Sequence, residues 1–303
     1  RDRTGEIIER LKLSYPNLRS LEGLPLPDGW RGKNWACWQL ARAAEGEVLL
    51  FTDADTNHRP DMLRAAVTAI LGEQADLLTG FPRQEVQSWG ERLLVPFFSW
   101  ALLSFIPLSL GYRLRLPALT SAVGQLMLFR RDTYQAIGGH ASVSASVVDD
   151  LSLVRRINSA HLRWRLAHVA GLVSCRMYHS SREAIDGFTK NLFAVFDYRL
   201  LPFLFAFLWL LILFWEPLIV FGMGFFGQAT HAQPAVIAAC IAVSVSLWLV
   251  HYVNMDLPVG LAFLYPFTIL ANVVIAIRSC VYSLGGRLTW KGRRIPRIRW
   301  KWL

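Results

Sequence analysis

Residues 200–282 of this 303-residue chain are almost uncharged, and that distribution constrains the fold more than any motif does. Three apolar runs, 200–226, 235–253 and 258–282, are each long enough to cross a bilayer core. Tryptophans stand in or near their ends, Arg278 is placed where it could snorkel, and Pro202, Pro217, Pro258 and Pro266 would kink the helices or mark their ends. The other reading of these runs is a buried hairpin inside a large soluble core. Residues 1–92 and 111–199 are well charged and read as globular. The expected organisation is an α/β domain over 1–199, transmembrane helices over 200–284 and a basic tail over 285–303.

The tail, RLTWKGRRIPRIRWKWL, holds much of the net charge of +10. Basic residues interleaved with tryptophan beside an apolar segment suit a cytoplasmic membrane surface, where anionic lipids attract Lys and Arg. Nucleic acid is the rival partner for such a patch, and the adjoining spans argue against it. Cys37, Cys175, Cys240 and Cys280 are far apart and lack metal-ligand spacing, so they read as reduced thiols.

Along 1–199, residues 5–13 read as a helix and LRSLEG, 18–23, as a short strand. The Pro/Gly loop LPLPDGWRGKNW leads to a helix through Cys37 to Ala44, and VLLF is a buried strand. Pro60 suits the first turn of a helix that DMLRAAVTAILG continues. ADLLTGF, GQLMLFRR, LRWRLA and LVSCRMY are strand candidates, with helices ending at Gly138-Gly139 and running through VVDDLSLVRRINSA. Strands alternating with helices predict an open α/β sheet. Residues 93–110 carry no charge but hold Pro96 and Pro107. A crossing there would put the acidic groups on either side of it on opposite sides of the membrane, so the run reads as interfacial or re-entrant.

Three groups could do chemistry. Asp53 and Asp55 follow VLLF, at the carboxyl end of a strand where open α/β sheets collect ligands. Spaced i and i+2, both can face one Mg²⁺ or Mn²⁺ shared with phosphate and water; alternatively Asp55 or Asn57 merely caps the helix at Pro60. Asp149 and Asp150 open a helix, either as favourable charge at its N-terminus or with one as a general base. Lys33 follows a Gly in a loop opening a helix, a place to meet phosphate. It lacks the P-loop frame, and a loop lysine is often only solvated.

GWRGKNWA, LLFTDAD, GQLMLFRR, VVDDLSLVRR, LVSCRMY and GFTKN occur in an order that resembles membrane-bound, lipid-modifying family-2 glycosyltransferases. The look is closest to carotenoid glycosyltransferases of the chlorobactene glucosyltransferase kind, with hopanoid-associated and ceramide-glucosyltransferase-like enzymes as neighbours. The resemblance implies a GT-A-type (Rossmann-like) domain followed by C-terminal transmembrane helices. It implies inverting transfer of a hexose, glucose, from a UDP-sugar to an apolar lipid such as a carotenoid. Hopanoid, sphingoid or glycerolipid acceptors are the alternative, as is a non-catalytic membrane scaffold of the same fold. Carried over, Asp53 sits by the nucleotide and the metal, and Asp55 holds Mg²⁺ or Mn²⁺ on the diphosphate. Asp150 is the base, with Asp149 replacing the family's glutamate, and Lys33 and Lys190 contact donor phosphate. Lys190 falls where sugar-polymerising relatives carry the Arg of Q-x-x-R-W, which argues against a processive synthase. The implied location is the cell membrane, multi-pass, with the catalytic domain facing the cytoplasm. The family opens with a membrane helix and a nucleotide-binding strand, and this chain starts just beyond them, so N-terminal truncation is expected.

Overall fold

The computed structural model describes residues 3–228, 232–290, 293–294 and 299–303; Lys291, Gly292 and residues 295–298 of the basic tail lie outside the described residues. Strands β1 (Val48–Thr52), β2 (Thr56–His58), β3 (Leu77–Phe81), β4 (Arg83–Gln84), β5 (Leu126–Arg130), β6 (Trp164–His168) and β7 (Val173–Cys175) form two small sheets. Around them lie α1 (Thr4–Ser14), α2 (Gly32–Ala43), α3 (Met62–Gly72), α4 (Trp89–Phe105), α5 (Leu108–Leu114), α6 (Arg131–Ala136), α7 (Asp149–Ser159) and α8 (Ser181–Val195). The apolar runs form α9 (Leu200–Phe225), α10 (Pro234–Asn254) and α11 (Tyr265–Leu284), with a 3₁₀ segment, Val259–Leu264, before the last.

The main sheet has the order β1-β5-β3-β6. It is mixed: β5 runs antiparallel to both β1 and β3, and β3 is parallel to β6. Its central strand is apolar on both faces because both are covered. Leu126 and Leu128 meet Met62, Ala66 and Ile70 of α3, while Met127 and Phe129 meet Leu153, Val154 and Ile157 of α7. The reversed direction of β5 matters for the site. Thr52 at the end of β1 pairs with Leu126 at the start of β5, so residues 122–125 arrive beside Asp53. The second sheet, β2-β7-β4, pairs Thr56 with Cys175.

Two local expectations are corrected. Residues 18–23 form no strand. Leu18 and Leu21 are exposed there, and the Leu24 N–H, just beyond, goes to Gln39 Oε1 rather than to a neighbouring strand. Pro60 lies ahead of the first turn of α3, which starts at Met62 with Asp61 as N-cap, because a turn from Arg59 O to Met62 N precedes it.

Ser88 and Glu91 form a capping box that starts α4. Its apolar face, with Leu94, Phe97 and Trp100, is buried among α8, α9, α10 and α11, and Trp100 stacks on Trp248 with centroids 4.2 Å apart. The chain bends by 57° between α4 and α5. Three segments are long and apolar enough to cross a membrane: Leu200–Phe225, Pro234–Asn254 and Val259–Leu284. Arg278 pairs with Asp186 of α8 at 2.9 Å and lies over the Tyr282 ring. The last residues return to the start of α9, where Lys301 N–H donates to Tyr198 O and Leu200 N–H to Lys301 O.

Candidate active site

Lys33, Asp53, Asp55, Asp149, Asp150 and Lys190 all line one open cleft of about 2300 Å³. Lys33 is its electrostatic hub. Its Nζ stands 2.9 Å from Asp53 Oδ1 and 3.6 Å from Asp149 Oδ2. Burial works against the ammonium charge, but Asp149 and Asp53 outweigh it and raise the pKa. The lysine therefore ties the start of α2 to the end of β1 and to α7. Asn34 reinforces that join: its buried Nδ2 donates to Val143 O at 2.8 Å and also reaches Ser144 O and Ser146 O, in the loop ahead of α7.

The acidic pair opens α7, with Val148 at the N-cap position. Asp150 Oδ1 accepts the Leu151 N–H at 2.7 Å, and Oδ2 accepts the Gly124 N–H at 2.9 Å. The helix-terminus reading is thus partly right, but the Gly124 bond brings in a second element. A Cβ on Gly124 would sit 3.2 Å from Lys33 Nζ and 3.4 Å from Asp150 Oδ2, so a larger residue there would press on the Lys33 ammonium and the Asp150 carboxylate. Burial first, and then Asp149, push the Asp150 carboxyl up to about 6, against Lys33 and the two N–H bonds. Asp149 faces buried His140, whose Nε2 lies 3.9 Å away. Burial lowers His140 to about 4, so it is neutral at pH 7 and leaves Asp149 to Lys33. His140 Nδ1 is 2.7 Å from the Tyr134 hydroxyl, which fixes the ring.

Asp53 and Asp55 sit in the turn after β1, closed by Thr56 N–H and Oγ1 on Asp53 O. Neither Asp55 nor Asn57 caps α3, whose N-cap is Asp61. Burial raises the Asp53 pKa, and Lys33 opposes it. Asp55 is exposed and neighbours the buried Cys175 thiol, whose pKa is raised by burial and by Asp55 itself. That thiol stays protonated and in turn accepts Gln125 Nε2 at 2.9 Å. Among the described residues no cluster of three or more His, Cys, Asp or Glu side chains could cage a metal. Two adjacent carboxylates fit a Mg²⁺ or Mn²⁺ that completes its shell with phosphate oxygens and water. Asp55 is the freer of the two, since Lys33 already occupies Asp53 Oδ1.

Part of the cleft wall is apolar. Phe97, Phe98, Leu102 and Phe105 of α4 and Phe205 and Trp209 of α9 line it. Asn34, Gly124, His140 and Tyr134 were not identified as site residues from sequence. Asn34 and Gly124 lie inside GWRGKNWA and GQLMLFRR, but nothing local marks His140 or Tyr134, whose relation to Asp149 is purely tertiary.

Residues 1–138 match the family model described as Glycosyl transferase family 2. A 4,4'-diaponeurosporenoate glycosyltransferase of Staphylococcus haemolyticus (strain JCSC1435) is 25% identical over 197 residues, covering 63% of this chain and 50% of that protein. The chain thus spans about half the length of that curated relative. A mannosyltransferase from Pyrobaculum calidifontis, solved in complex with GDP-Man and Mn2+, aligns with a TM-score of 0.47 at 16% identity, covering 93% of this chain and 74% of that one. The chain has a mixed α/β, GT-A-like glycosyltransferase fold, with three apolar helices at its C-terminal end that could cross a membrane.

Proposed function

We propose that this protein is an inverting glycosyltransferase that moves a hexose, glucose, from a UDP-sugar to an apolar, membrane-dissolved acceptor such as a carotenoid. One observation carries the reading: a single cleft joins an acidic, lysine-bridged end to a wall of aromatic side chains from α4 and α9. The first end suits a nucleotide diphosphate and a reacting hydroxyl, the second a greasy acceptor. The family match and the relative named for a carotenoid-type acid support it.

In this mechanism Asp150 accepts the acceptor's hydroxyl proton as that oxygen attacks the anomeric carbon from the face opposite the diphosphate. The C–O bond to the acceptor forms as the bond to the diphosphate breaks, with the electron pair leaving on phosphate oxygen. Asp149 and Lys33 hold Asp150's surroundings in place, and Lys33 and Lys190 face the donor phosphates. Asp55, with Asp53, would hold Mg²⁺ or Mn²⁺. Bound there, the cation would neutralise charge on the departing diphosphate. The test is incubation of the full-length protein with a panel of UDP-sugars and a lipid extract, read by mass spectrometry for a glycosylated lipid.

The membrane arrangement proposed for this activity has α9 and α10 as a crossing hairpin and residues 257–284 as a re-entrant segment. Both ends of that segment adjoin the α/β domain. His168 Nε2 lies 2.7 Å from Asn254 O and Arg83 pairs with Asp256 at 2.9 Å, while Phe193 N–H donates to Ser279 Oγ at 3.0 Å. Between them, Pro266 O accepts Trp215 Nε1, level with the middle of α9. An even number of crossings then keeps the domain and the tail together on the cytoplasmic side, with α4 and α5 dipping into the interface. In intact cells, with Cys37, Cys175, Cys240 and Cys280 replaced by Ser, an impermeant maleimide should label Gln228→Cys and leave Lys301→Cys unlabelled until the membrane is opened. Equal labelling of both would refute the hairpin.

A further inference from the structure

One buried ion pair at the cleft has no part in the chemistry described so far. Arg176, the residue after β7, lines the cleft and forks onto Glu91 of α4. Its Nε lies 3.4 Å from Oε2 and its Nη2 3.5 Å from Oε1. Glu91 is fully buried. It also accepts the Gln87 N–H at 3.0 Å, the Ser88 N–H at 3.2 Å and the Ser88 hydroxyl at 2.6 Å. Burial alone would raise its pKa; these donors and Arg176 bring it down to about 2. The carboxylate is thus anchored three times over without Arg176, whereas Arg176 has a side chain 24% exposed to the cleft and offers five N–H donors in all.

Position and charge say what those remaining donors face. Cys175 pairs with Thr56 in the β2–β7 register and its thiol touches Asp55, so Arg176 emerges one residue outward from the Asp55 turn. On the other side of that turn, Lys33 is shared between Asp53 and Asp149. A dianionic group lying along the Asp53–Asp55 turn would meet carboxylates and a lysine already paired twice. A planar guanidinium held in a fixed plane by a buried carboxylate suits such a group.

We propose that Arg176 binds the diphosphate of the donor and that Glu91 is the positioning residue that aims its guanidinium; this rests on the glycosyltransferase reading above. Glu91 stands in the first turn of α4, the helix whose Phe97, Phe98, Leu102 and Phe105 line the acceptor end. The same helix thereby carries the anchor for the diphosphate and the wall for the acceptor.

The experiment is calorimetric binding of UDP and of GDP to the full-length protein in detergent with Mn²⁺, each compared with its nucleoside. Arg176→Ala should weaken diphosphate binding roughly 10- to 100-fold, the loss of a charge-assisted bond, and leave nucleoside binding unchanged. Arg176→Lys should recover part of the loss. Glu91→Gln should raise the donor KM with little change in kcat; should that variant fail to fold, the Arg176 series decides alone. Diphosphate affinity unchanged in Arg176→Ala overturns the proposal, and so does an equal loss of diphosphate and nucleoside, which marks structural damage. A wild-type protein that binds neither diphosphate overturns the glycosyltransferase reading, and the proposal with it.

Discussion

Asp150→Asn should lower transfer by roughly 10²- to 10⁴-fold, the range of a general base, and leave Mn²⁺-dependent UDP binding in place. The substitution preserves shape. The Asn side-chain oxygen can still accept one of the N–H groups, from Gly124 or Leu151, that now hold the carboxylate. What it cannot do is take a proton. A second readout follows from the environment of Asp150, whose carboxyl is raised to about 6 by burial and by Asp149. The base must be ionised to work, so activity should be full above that value and fall as pH drops through about 6. The residual activity of Asp150→Asn should lack this acid limb. Loss of UDP binding along with activity would show that Asp150 holds the donor and is not the base.

Asp55→Ala should weaken UDP binding in Mn²⁺ by about 100-fold, since even outer partners of a metal site are worth about 10- to 100-fold in affinity. The size of the effect reflects the scarcity of donors. The two aspartates of the turn stand without a third acidic, His or Cys ligand among the described residues. Losing one leaves only Asp53, and Asp53 is already engaged by Lys33 at 2.9 Å. Binding measured with EDTA should be weak and similar in the wild type and the variant. If the variant binds UDP in Mn²⁺ as the wild type does, Asp55 has no metal role.

Periodicity made the local elements legible. VLLF, DMLRAAVTAILG, GQLMLFRR and VVDDLSLVRRINSA contain β1, α3, β5 and α7, because each carries a continuous or period-3.6 apolar pattern that one or two cores absorb. The three long apolar runs were equally plain. Strand direction was not, since a buried strand such as Leu126–Arg130 reads the same whether its neighbours run with it or against it. LRSLEG shows the complementary failure: a short segment with two leucines three apart makes no strand where no neighbour offers it a ladder. At the site, the acids and lysines were readable as types, and one cleft unites them. Their partners were not. Tyr134–His140, Gly124–Asp150 and Glu91–Arg176 join residues whose sequence context gives no hint of the other member. Arg278 reads from sequence as placed where it could snorkel, and its partner Asp186, 92 residues earlier in the chain, is visible only in the fold.

The most direct measurement joins the two ends of the cleft in one assay. The full-length protein in native membranes is given each UDP-sugar in turn with a carotenoid-containing lipid extract, and the lipids are read by mass spectrometry. A hexose added to an apolar lipid with UDP-glucose, and lost in Asp150→Asn, is the expected result. Lipids left unaltered by every donor, from a protein that binds no nucleotide sugar, would contradict it and leave a membrane scaffold that retains only the fold.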